Sequence, residues 1–147
     1  FWRCRAETTF ESWHLNFAVH EHRNVVGTCT VDGTQFPSIR TAGTGSWLGR
    51  RYQGRGLGRE MRQAALHLIF AGLDGERATT RAWHDNIASL RVTRSLPYTE
   101  DGAGKEPRRD HVDTMLSFSM TRARWEKVHR NDIEISGLGP TREFLGL

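Results

Sequence analysis

The residues with the clearest chemical capacity lie in a glycine-rich stretch over residues 51–59, called here the cradle. Glycines stand at the alternate positions 54, 56 and 58, and arginines stand at 51, 55 and 59. Glycine lets the backbone approach a ligand closely and take a positive φ. Apolar residues with helical spacing follow, so the stretch lies at a helix N-terminus, whose unpaired N–H groups attract anions. The sequence therefore predicts a site for a phosphate-bearing ligand between a strand and a helix.

The order of residues in the cradle narrows the kind of ligand. A Walker A loop ends in Gly-Lys-Ser/Thr, whereas this chain has Gly58, Arg59 and Glu60 there. A dinucleotide fingerprint, Gly-x-Gly-x-x-Gly/Ala, can begin at neither Gly54 nor Gly56. The stretch fits Gln/Arg-x-x-Gly-x-Gly/Ala instead, over residues 53–58. Taken alone, it is also compatible with a glycine-rich turn that only caps a surface helix.

A second motif follows roughly 30 residues later, which is the separation that one crossover helix and one strand require. It extends from Asn86 through Ser89 to Tyr98. Together the two motifs resemble the GNAT (Gcn5-related) N-acetyltransferases, in which Asn-x-x-Ser/Ala precedes a Gly-Phe/Tyr pair. Pro97 stands where that glycine is expected, and proline cannot take a positive φ.

The resemblance covers about residues 13–122 and looks strongest to the branch that acetylates N-terminal amino groups of ribosomal proteins. It implies an α/β fold of the mixed α+β kind, with a twisted, mostly antiparallel sheet and helices on both faces. We expect one domain over residues 1–130 and a C-terminal tail over residues 131–147. The family's first strand and helices have no counterpart in this sequence, so we expect that an upstream segment was cleaved, deleted or left out. Members of the family commonly form homodimers.

The resemblance also implies acetyl-coenzyme A as co-substrate, bound without a metal where the third and fourth strands splay apart. The pantetheine arm would pair with the end of a strand and contact an asparagine, and the pyrophosphate would accept hydrogen bonds from the cradle. The residues so implied are Trp47, Leu48, Gly49 and Asn86 for the pantetheine, and Gln53, Gly54, Arg55, Gly56, Leu57, Gly58 and Arg59 for the pyrophosphate.

Catalysis of acetyl transfer requires an acid and a base, because the attacking amine loses a proton and the leaving thiolate gains one. By resemblance, Ser89 is the general acid, and Tyr98 is the competing acid because a tyrosine in this region serves many members. Ser89 as an ordinary helix residue is an alternative. The base is left open among Glu21, His14 and His20, a residue upstream of the chain, and a water chain.

The surrounding pattern predicts the elements that position these residues. Alternating hydrophobicity predicts strands over residues 13–21, 25–31, 39–49, 78–84 and 111–120, with a short one beginning at 98. Helical spacing predicts helices over 57–73, 87–95 and 121–129, with Gly75 capping the first and Asp85 or Asn86 starting the second. Residues 1–10 indicate a short helix and a loop, and residues 32–37 and 101–109 indicate loops. The strand–helix–strand order predicts a parallel crossover.

Composition disfavours several classes of function. The 147 residues, 37% of them hydrophobic, can form one core, and no apolar run approaches the ~20 residues of a membrane helix. Cys4 and Cys29 make no disulfide or metal framework, so a reduced, cytoplasmic setting is the default. The formal charge of +4 suits an anionic ligand. Nucleic-acid binding is disfavoured because basic residues outside the cradle are interleaved with acidic ones.

The favoured function is therefore transfer of an acetyl group from acetyl-coenzyme A to a primary amine in a ternary complex. The acceptor is either a protein N-terminal amino group or a small molecule. The alternative is a non-catalytic module that binds acyl-coenzyme A as a sensor.

Overall fold

The sheet is the largest feature of the structure, a computed structural model that describes residues 8–147. The helix expected within residues 1–10 falls outside the described residues. The sheet has the strand order β1-β2-β3-β4-β6-β5, and its neighbours are antiparallel except β3 and β4, which are parallel as predicted. The strands are β1 (Ser12–Glu21), β2 (Asn24–Thr34), β3 (Thr41–Leu48), β4 (Arg77–Trp83), β5 (Thr99–Arg108) and β6 (His111–Thr121).

The helices connect or follow these strands. α2 links the parallel pair and continues as a π-helical segment, Leu68–Gly72, while one 3₁₀ turn, Arg50–Tyr52, precedes it. α4 is shorter than the helix predicted over residues 121–129. Within residues 8–147, none of the helices is long and apolar enough to cross a membrane. The helices are α1 (Phe36–Ile39), α2 (Leu57–His67), α3 (Ile87–Arg94), α4 (Arg122–Trp125) and α5 (Leu138–Leu145).

The hydrophobic core lies on one face of the sheet. One cluster joins buried residues of five strands to buried residues of four helices. A smaller cluster seats Leu90 of α3 on Ala82 and Phe118. Ala82 lies on the same face as Ala78 of the main cluster, because the two are four positions apart on one strand. Each described helix buries side chains on this face. The main cluster includes Trp13, Val31, Ala42, Ala78, Met120, Phe36, Leu66, Trp125 and Leu145.

Residues 101–109, predicted as a loop, form most of a strand, so that prediction was wrong. β5 extends to Arg108 and pairs with β6, with a register shift between Glu100 and Gly102. Glycine, proline and charged residues disfavour a strand locally. The strand forms because β6 supplies hydrogen-bond partners for its backbone, and Pro107 is tolerated on an edge strand.

The connection between β2 and β3 also differs from prediction. β2 continues to Thr34, and α1 follows at once, where residues 32–37 were expected to be a loop and residue 39 the start of a strand. Gln35 and Arg40 bound this single helical turn with φ values of 51° and 52°, in the left-handed region. No glycine marks these two positions, so the sequence carried little signal for the turn.

The end of the helical segment after α2 was assigned to the wrong residue. Asp74, with φ 58°, takes the left-handed conformation rather than Gly75. Gly75 is needed for a different reason, since a Cβ there would lie 2.7 Å from Ile69 Cγ2. The glycine therefore permits close packing, and the aspartate makes the turn.

Residues 131–147 pack on the rest of the chain. α5 places Leu145 in the main core with no exposed surface. Arg142 Nη1 donates a hydrogen bond to the Gly72 carbonyl at 2.8 Å, at the end of the segment that continues α2. The C-terminal segment therefore contributes buried contacts to the same core as the sheet.

Candidate active site

β3 and β4 separate toward their C-terminal ends, and the opening between them is called the wedge. Their pairing stops at Thr44 and Thr80, although β3 continues to Leu48 and β4 to Trp83. Two hydrogen bonds close its narrow end. Thr44 Oγ1 donates to the Thr79 carbonyl and Thr80 Oγ1 donates to the Thr44 carbonyl, each at 3.1 Å. The splayed strands that the resemblance implied are therefore present.

Backbone groups at the end of β3 are divided between the sheet and the wedge. Gly49 N–H donates to the Val26 carbonyl of β2 at 2.9 Å. Because successive N–H groups of a strand point to opposite edges, Leu48 N–H points toward the wedge. The Leu48 carbonyl accepts a hydrogen bond from Gln53 Nε2 at 3.0 Å. Of the residues expected along the pantetheine arm, Leu48 thus offers a backbone donor, and the nearby Trp47 is 63% exposed.

The cradle lies between β3 and the first turn of α2, as predicted. Gly54 and Gly56 have φ values of 75° and 86°, and a Cβ at either position would have no atom within 4 Å. Gln53 N–H and Arg59 N–H are used within the turn, on the Arg50 carbonyl at 3.3 Å and the Gly56 carbonyl at 3.0 Å. Among the described residues, five successive N–H groups donate to no protein acceptor. They belong to Gly54, Arg55, Gly56, Leu57 and Gly58.

The arginines of the cradle differ in their partners. Arg55 is held by Glu21 at the end of β1, through Nη1–Oε2 and Nη2–Oε1 distances of 3.0 and 2.8 Å. Arg51 lies over the ring of its neighbour Tyr52, with Cζ 4.8 Å from the ring centre. Arg59 is exposed and has no ion pair within residues 8–147. Arg51 and Arg59 therefore carry positive charges that no carboxylate of residues 8–147 pairs, beside the free N–H groups.

The second motif begins at the C-terminal end of β4, next to the wedge. Asn86 is the residue that caps α3, since its Oδ1 accepts a hydrogen bond from Ser89 N–H at 3.2 Å. Pro97 does not prevent a tight turn, because Tyr98 N–H donates to the Leu96 carbonyl at 2.7 Å without any positive φ. The turn into β5 therefore needs no residue with a positive φ, unlike the turn for which the family pattern has glycine.

The two candidate acids do not lie together. Ser89 is in the first turn of α3, whereas Tyr98 follows the far end of that helix, which is about 12 Å long. Tyr98 is largely enclosed, and its hydroxyl has no hydrogen-bond partner in the described part of the chain. Cζ of Arg62, on α2, lies 5.9 Å from the centre of the tyrosine ring. Ser89 is therefore the candidate on the wedge side of α3.

A charged cluster at the same end of the sheet was missed by sequence reasoning. Asp113 of β6 receives a hydrogen bond from Arg108 Nη1 at 2.6 Å and one from Thr114 N–H at 2.7 Å. These bonds, the one from Arg108 first, lower the pKa of the Asp113 carboxyl to about 2. His84 Nδ1 lies 3.0 Å from Asp113 Oδ1, and Arg108 also binds Asp85 at 2.8 Å. Its members come from β5, β6 and the turn after β4, so no local spacing in the sequence indicated it.

The cluster contains a possible metal-ligand set. One ligand atom from each of His84, Asp85 and Asp113 lies within 4.8 Å of the others. Arg108 Nη1 already contacts both carboxylates and neutralises charge between them. A metal ion at this place would have to displace the guanidinium.

The base candidates named from sequence lie away from the wedge. β1 is two strands from β3, so roughly 10 Å separate His14 and His20 from it. His14 also pairs with Asp32 and Gly43, toward the opposite end of the sheet. Glu21 is at the correct end, but its carboxylate is occupied by Arg55. His14 and His20 therefore lie on a strand away from the wedge, and the Glu21 carboxylate is paired with Arg55.

An apolar cavity of about 460 Å³ lies elsewhere, between β1, α2 and the C-terminal segment. Its walls include Leu15, Val19, Met61, Leu68 and Ile135. Cys29 also lines it, and burial raises the pKa of that thiol. The cavity is on the far side of α2 from the wedge strands β3 and β4, and its lining contains none of the residues expected to bind the cofactor.

Comparison with known proteins identifies the family. The family model described as Acetyltransferase (GNAT) domain matches residues 2–99. The chain therefore belongs to the GNAT acetyltransferases, and the mixed sheet with a wedge beside a glycine cradle is the arrangement expected of an enzyme of that class.

Several solved structures share the fold. A protein described as an acetyltransferase is 16% identical, with a TM-score of 0.72, over 84% of this chain and 68% of its own. Mutant forms of the spermidine/spermine N-acetyltransferase SpeG from Vibrio cholerae are 14% identical, with a TM-score of 0.70, over 78% and 67%. A protein from T. thermophilus, also described as an acetyltransferase, is 21% identical, with a TM-score of 0.71, over 78% and 62%. At these identities the likeness concerns the fold.

Proposed function

We propose that the protein transfers the acetyl group of acetyl-coenzyme A to a primary amine by direct attack within a ternary complex. The observation that carries this proposal is the run of five N–H groups, from Gly54 to Gly58, that donate to no acceptor in the described residues, in a turn with open space at the Cβ positions of Gly54 and Gly56. A diphosphate needs several convergent donors, and a helix N-terminus supplies them together with a favourable dipole. The wedge then leads from the cradle to the sheet interior.

The remaining cofactor contacts follow from this placement. The pyrophosphate accepts hydrogen bonds from the free cradle amides, and Arg51 and Arg59 balance its charge. The pantetheine arm lies along the wedge edge of β3, where Leu48 N–H is available and Trp47 is exposed. Asn86 stands on the opposite wall of the wedge, at the start of α3. Gln53 holds the strand end in place through the Leu48 carbonyl rather than touching the ligand.

Ser89 is the proposed donor to the leaving thiolate. Two features support this role: Ser89 is in the first turn of α3, shortly after the end of β4, and the N-terminal dipole of α3 favours negative charge there. Tyr98 is the alternative acid, and it would have to act from its enclosed position behind α3. The comparison of Ser89→Ala with Tyr98→Phe separates them, because the true acid loses more kcat than affinity for acetyl-coenzyme A.

The acceptor is proposed to be a protein N-terminal amino group, on the resemblance to the ribosomal-protein branch. The similarity to spermidine N-acetyltransferases makes a polyamine the second candidate. A cytoplasmic location and a homodimeric state are further predictions. Gel filtration with light scattering measures the oligomeric state directly.

Thiol release tests the proposed reaction. Purified protein is mixed with acetyl-coenzyme A and either spermidine or a peptide that begins with alanine, and free coenzyme A is followed with a thiol reagent. We expect amine-dependent release and an acetylated amine in the mass spectrum. Binding of acetyl-coenzyme A without release for any amine would favour the sensor alternative over the enzyme.

A further inference from the structure

The sequence analysis left the general base open, and the structure draws attention to His84, which was not among the candidates. It is the first residue after β4, at the end of the sheet that also carries the cradle and the first turn of α3. His84 N–H donates to the Thr114 carbonyl of β6 at 3.0 Å, which fixes its backbone at the C-terminal end of β4, on the edge that faces β6. The side chain is 52% exposed, so a substrate can reach it.

The imidazole is oriented by a carboxylate. His84 Nδ1 lies 3.0 Å from Asp113 Oδ1, and the Asp113 side chain is only 12% exposed. Arg108 and Thr114 N–H keep this carboxyl ionised, with a pKa of about 2. An ionised carboxylate can only accept a hydrogen bond, so the proton of neutral His84 is on Nδ1 and the lone pair is on Nε2. This is the arrangement in which a base is held ready by a third group.

Other charged groups face the same place. Asp85, next to His84, and Asp113 are both held by Arg108. His111 Nε2 lies 3.8 Å from Asp113 Oδ2 on the side away from His84 Nδ1. Arg108 Cζ also lies 4.9 Å from the centre of the Trp83 ring, which keeps the guanidinium over β4. Lys105 of β5 is a second nearby cation, since its Nζ donates to Thr114 Oγ1 at 2.9 Å, so two carboxylates and two cations surround His84.

We propose that His84 is the general base of the acetyl transfer and that Asp113 is its positioning residue. The inference rests on the proposed function. His84 Nε2 takes one proton from the acceptor ammonium, and the freed nitrogen lone pair forms the C–N bond to the thioester carbonyl. The C–S bond then breaks, the amine nitrogen loses its second proton, and the thiolate gains one. The proton on His84 passes to solvent, so the products are an amide, free coenzyme A and one released proton.

The test compares three variants with the wild type, using the amine that the wild type acetylates, either spermidine or the alanine peptide. His84→Gln removes the base, Asp113→Asn removes the carboxylate charge, and His22→Asn is a control in the exposed β1–β2 turn. His22 has φ 55°, which asparagine tolerates. We expect His84→Gln to lose about 10²–10⁴-fold in kcat/KM at pH 7, with the acetyl-coenzyme A Kd within about twofold.

The pH profile and chemical rescue distinguish a base from a structural residue. In the wild type, kcat/KM rises with pH to a plateau, as a base requires, and His84→Gln removes that rise. Asp113→Asn lowers kcat/KM less than His84→Gln does, because the imidazole stays in place but loses the carboxylate that orients it. In a fourth variant, His84→Ala, free imidazole should restore part of the lost activity. The control keeps both rate and profile.

Failure of this inference differs from failure of the proposed function. If the wild type acetylates an amine and His84→Gln matches it within about threefold with the same profile, His84 is not the base. If the wild type releases no coenzyme A with any amine, the proposed function is wrong and the base assignment falls with it. If His84→Gln keeps the acetyl-coenzyme A affinity and the unfolding temperature of the wild type, its loss of rate does not come from a loss of folded structure.

Discussion

Arg55 in the cradle and Glu21 at the end of β1 form a two-point ion pair across 34 residues of chain, with N–O distances of 3.0 and 2.8 Å. The pair ties the cradle to the far edge of the antiparallel strands. It also places a negative charge close to where a diphosphate is proposed to bind. The ion pair therefore joins the proposed cofactor site to Glu21, which was a candidate base.

Removing the carboxylate of Glu21 should release Arg55 for the ligand. We expect Glu21→Gln to bind acetyl-coenzyme A about two- to fivefold more tightly at low salt, with a smaller gain at 0.15 M salt because of screening. Stability should change little, since exposed pairs contribute about 0–1 kcal/mol. Isothermal titration at two salt concentrations measures this. Glu11→Gln makes the same charge change at the other end of β1, and weaker binding by Glu21→Gln alone would show that the pair shapes the cradle.

Asn86 should have a structural and a binding role that can be separated. Asn86→Ala loses the hydrogen bond to Ser89 N–H and should lower the free energy of unfolding by about 0.5–2 kcal/mol. Asn86→Asp keeps a good cap, so its stability should be close to that of the wild type. Urea denaturation gives the stabilities and titration gives the affinities. Equal, wild-type affinity in both variants would mean that Asn86 caps the helix and does not contact the pantetheine.

Arg62 is a buried arginine, 3% exposed, whose Nη1 has no hydrogen-bond partner in the described part of the chain. An unsatisfied buried donor costs about 1–3 kcal/mol, and the contact with the Tyr98 ring returns only part of that. We expect Arg62→Met to raise the free energy of unfolding by about 1 kcal/mol in urea denaturation. A loss of stability of that size would show that the guanidinium is satisfied in solution.

Asp113 should make stability depend on pH in acid. Its pKa is about 2 in the folded protein, below the ordinary value near 3.9 in an unfolded chain. A lowered folded pKa stabilises the fold above the unfolded value, and this contribution is lost as the pH falls from about 4 to about 2. Urea midpoints measured across that range should fall less steeply in Asp113→Asn than in the wild type. Parallel slopes would mean that the Arg108 contact does not persist in solution.

The cradle was predictable because its signals are local. Gly54 and Gly56 take the positive φ that their residue type allows, and the helical spacing after Leu57 marks the first turn of α2. The parallel pairing of β3 with β4 follows from the strand–helix–strand order alone. These features need no knowledge of distant residues.

The rest of the site depended on pairing between strands. The composition of residues 101–109 favours a loop, and only the edge of β6 makes them a strand. That strand carries Arg108, which in turn holds Asp113 and Asp85 beside His84. The candidates Glu21, His14 and His20 were all taken from β1, so the sequence analysis missed His84, the proposed base, whose partners come from two other strands.

Titration of acetyl-coenzyme A into the wild type and Gly56→Asp tests the central claim most directly. Gly56 has φ 86° and open space at its Cβ, so aspartate there would strain the turn and place a carboxylate among the free amides. Gly139→Asp adds the same charge at an open position on α5, away from the cradle. The account predicts saturable binding by the wild type and the control, and at least about tenfold weaker binding, or 1.4 kcal/mol, by Gly56→Asp. Equal affinity in all three proteins, or no binding by the wild type, would contradict it.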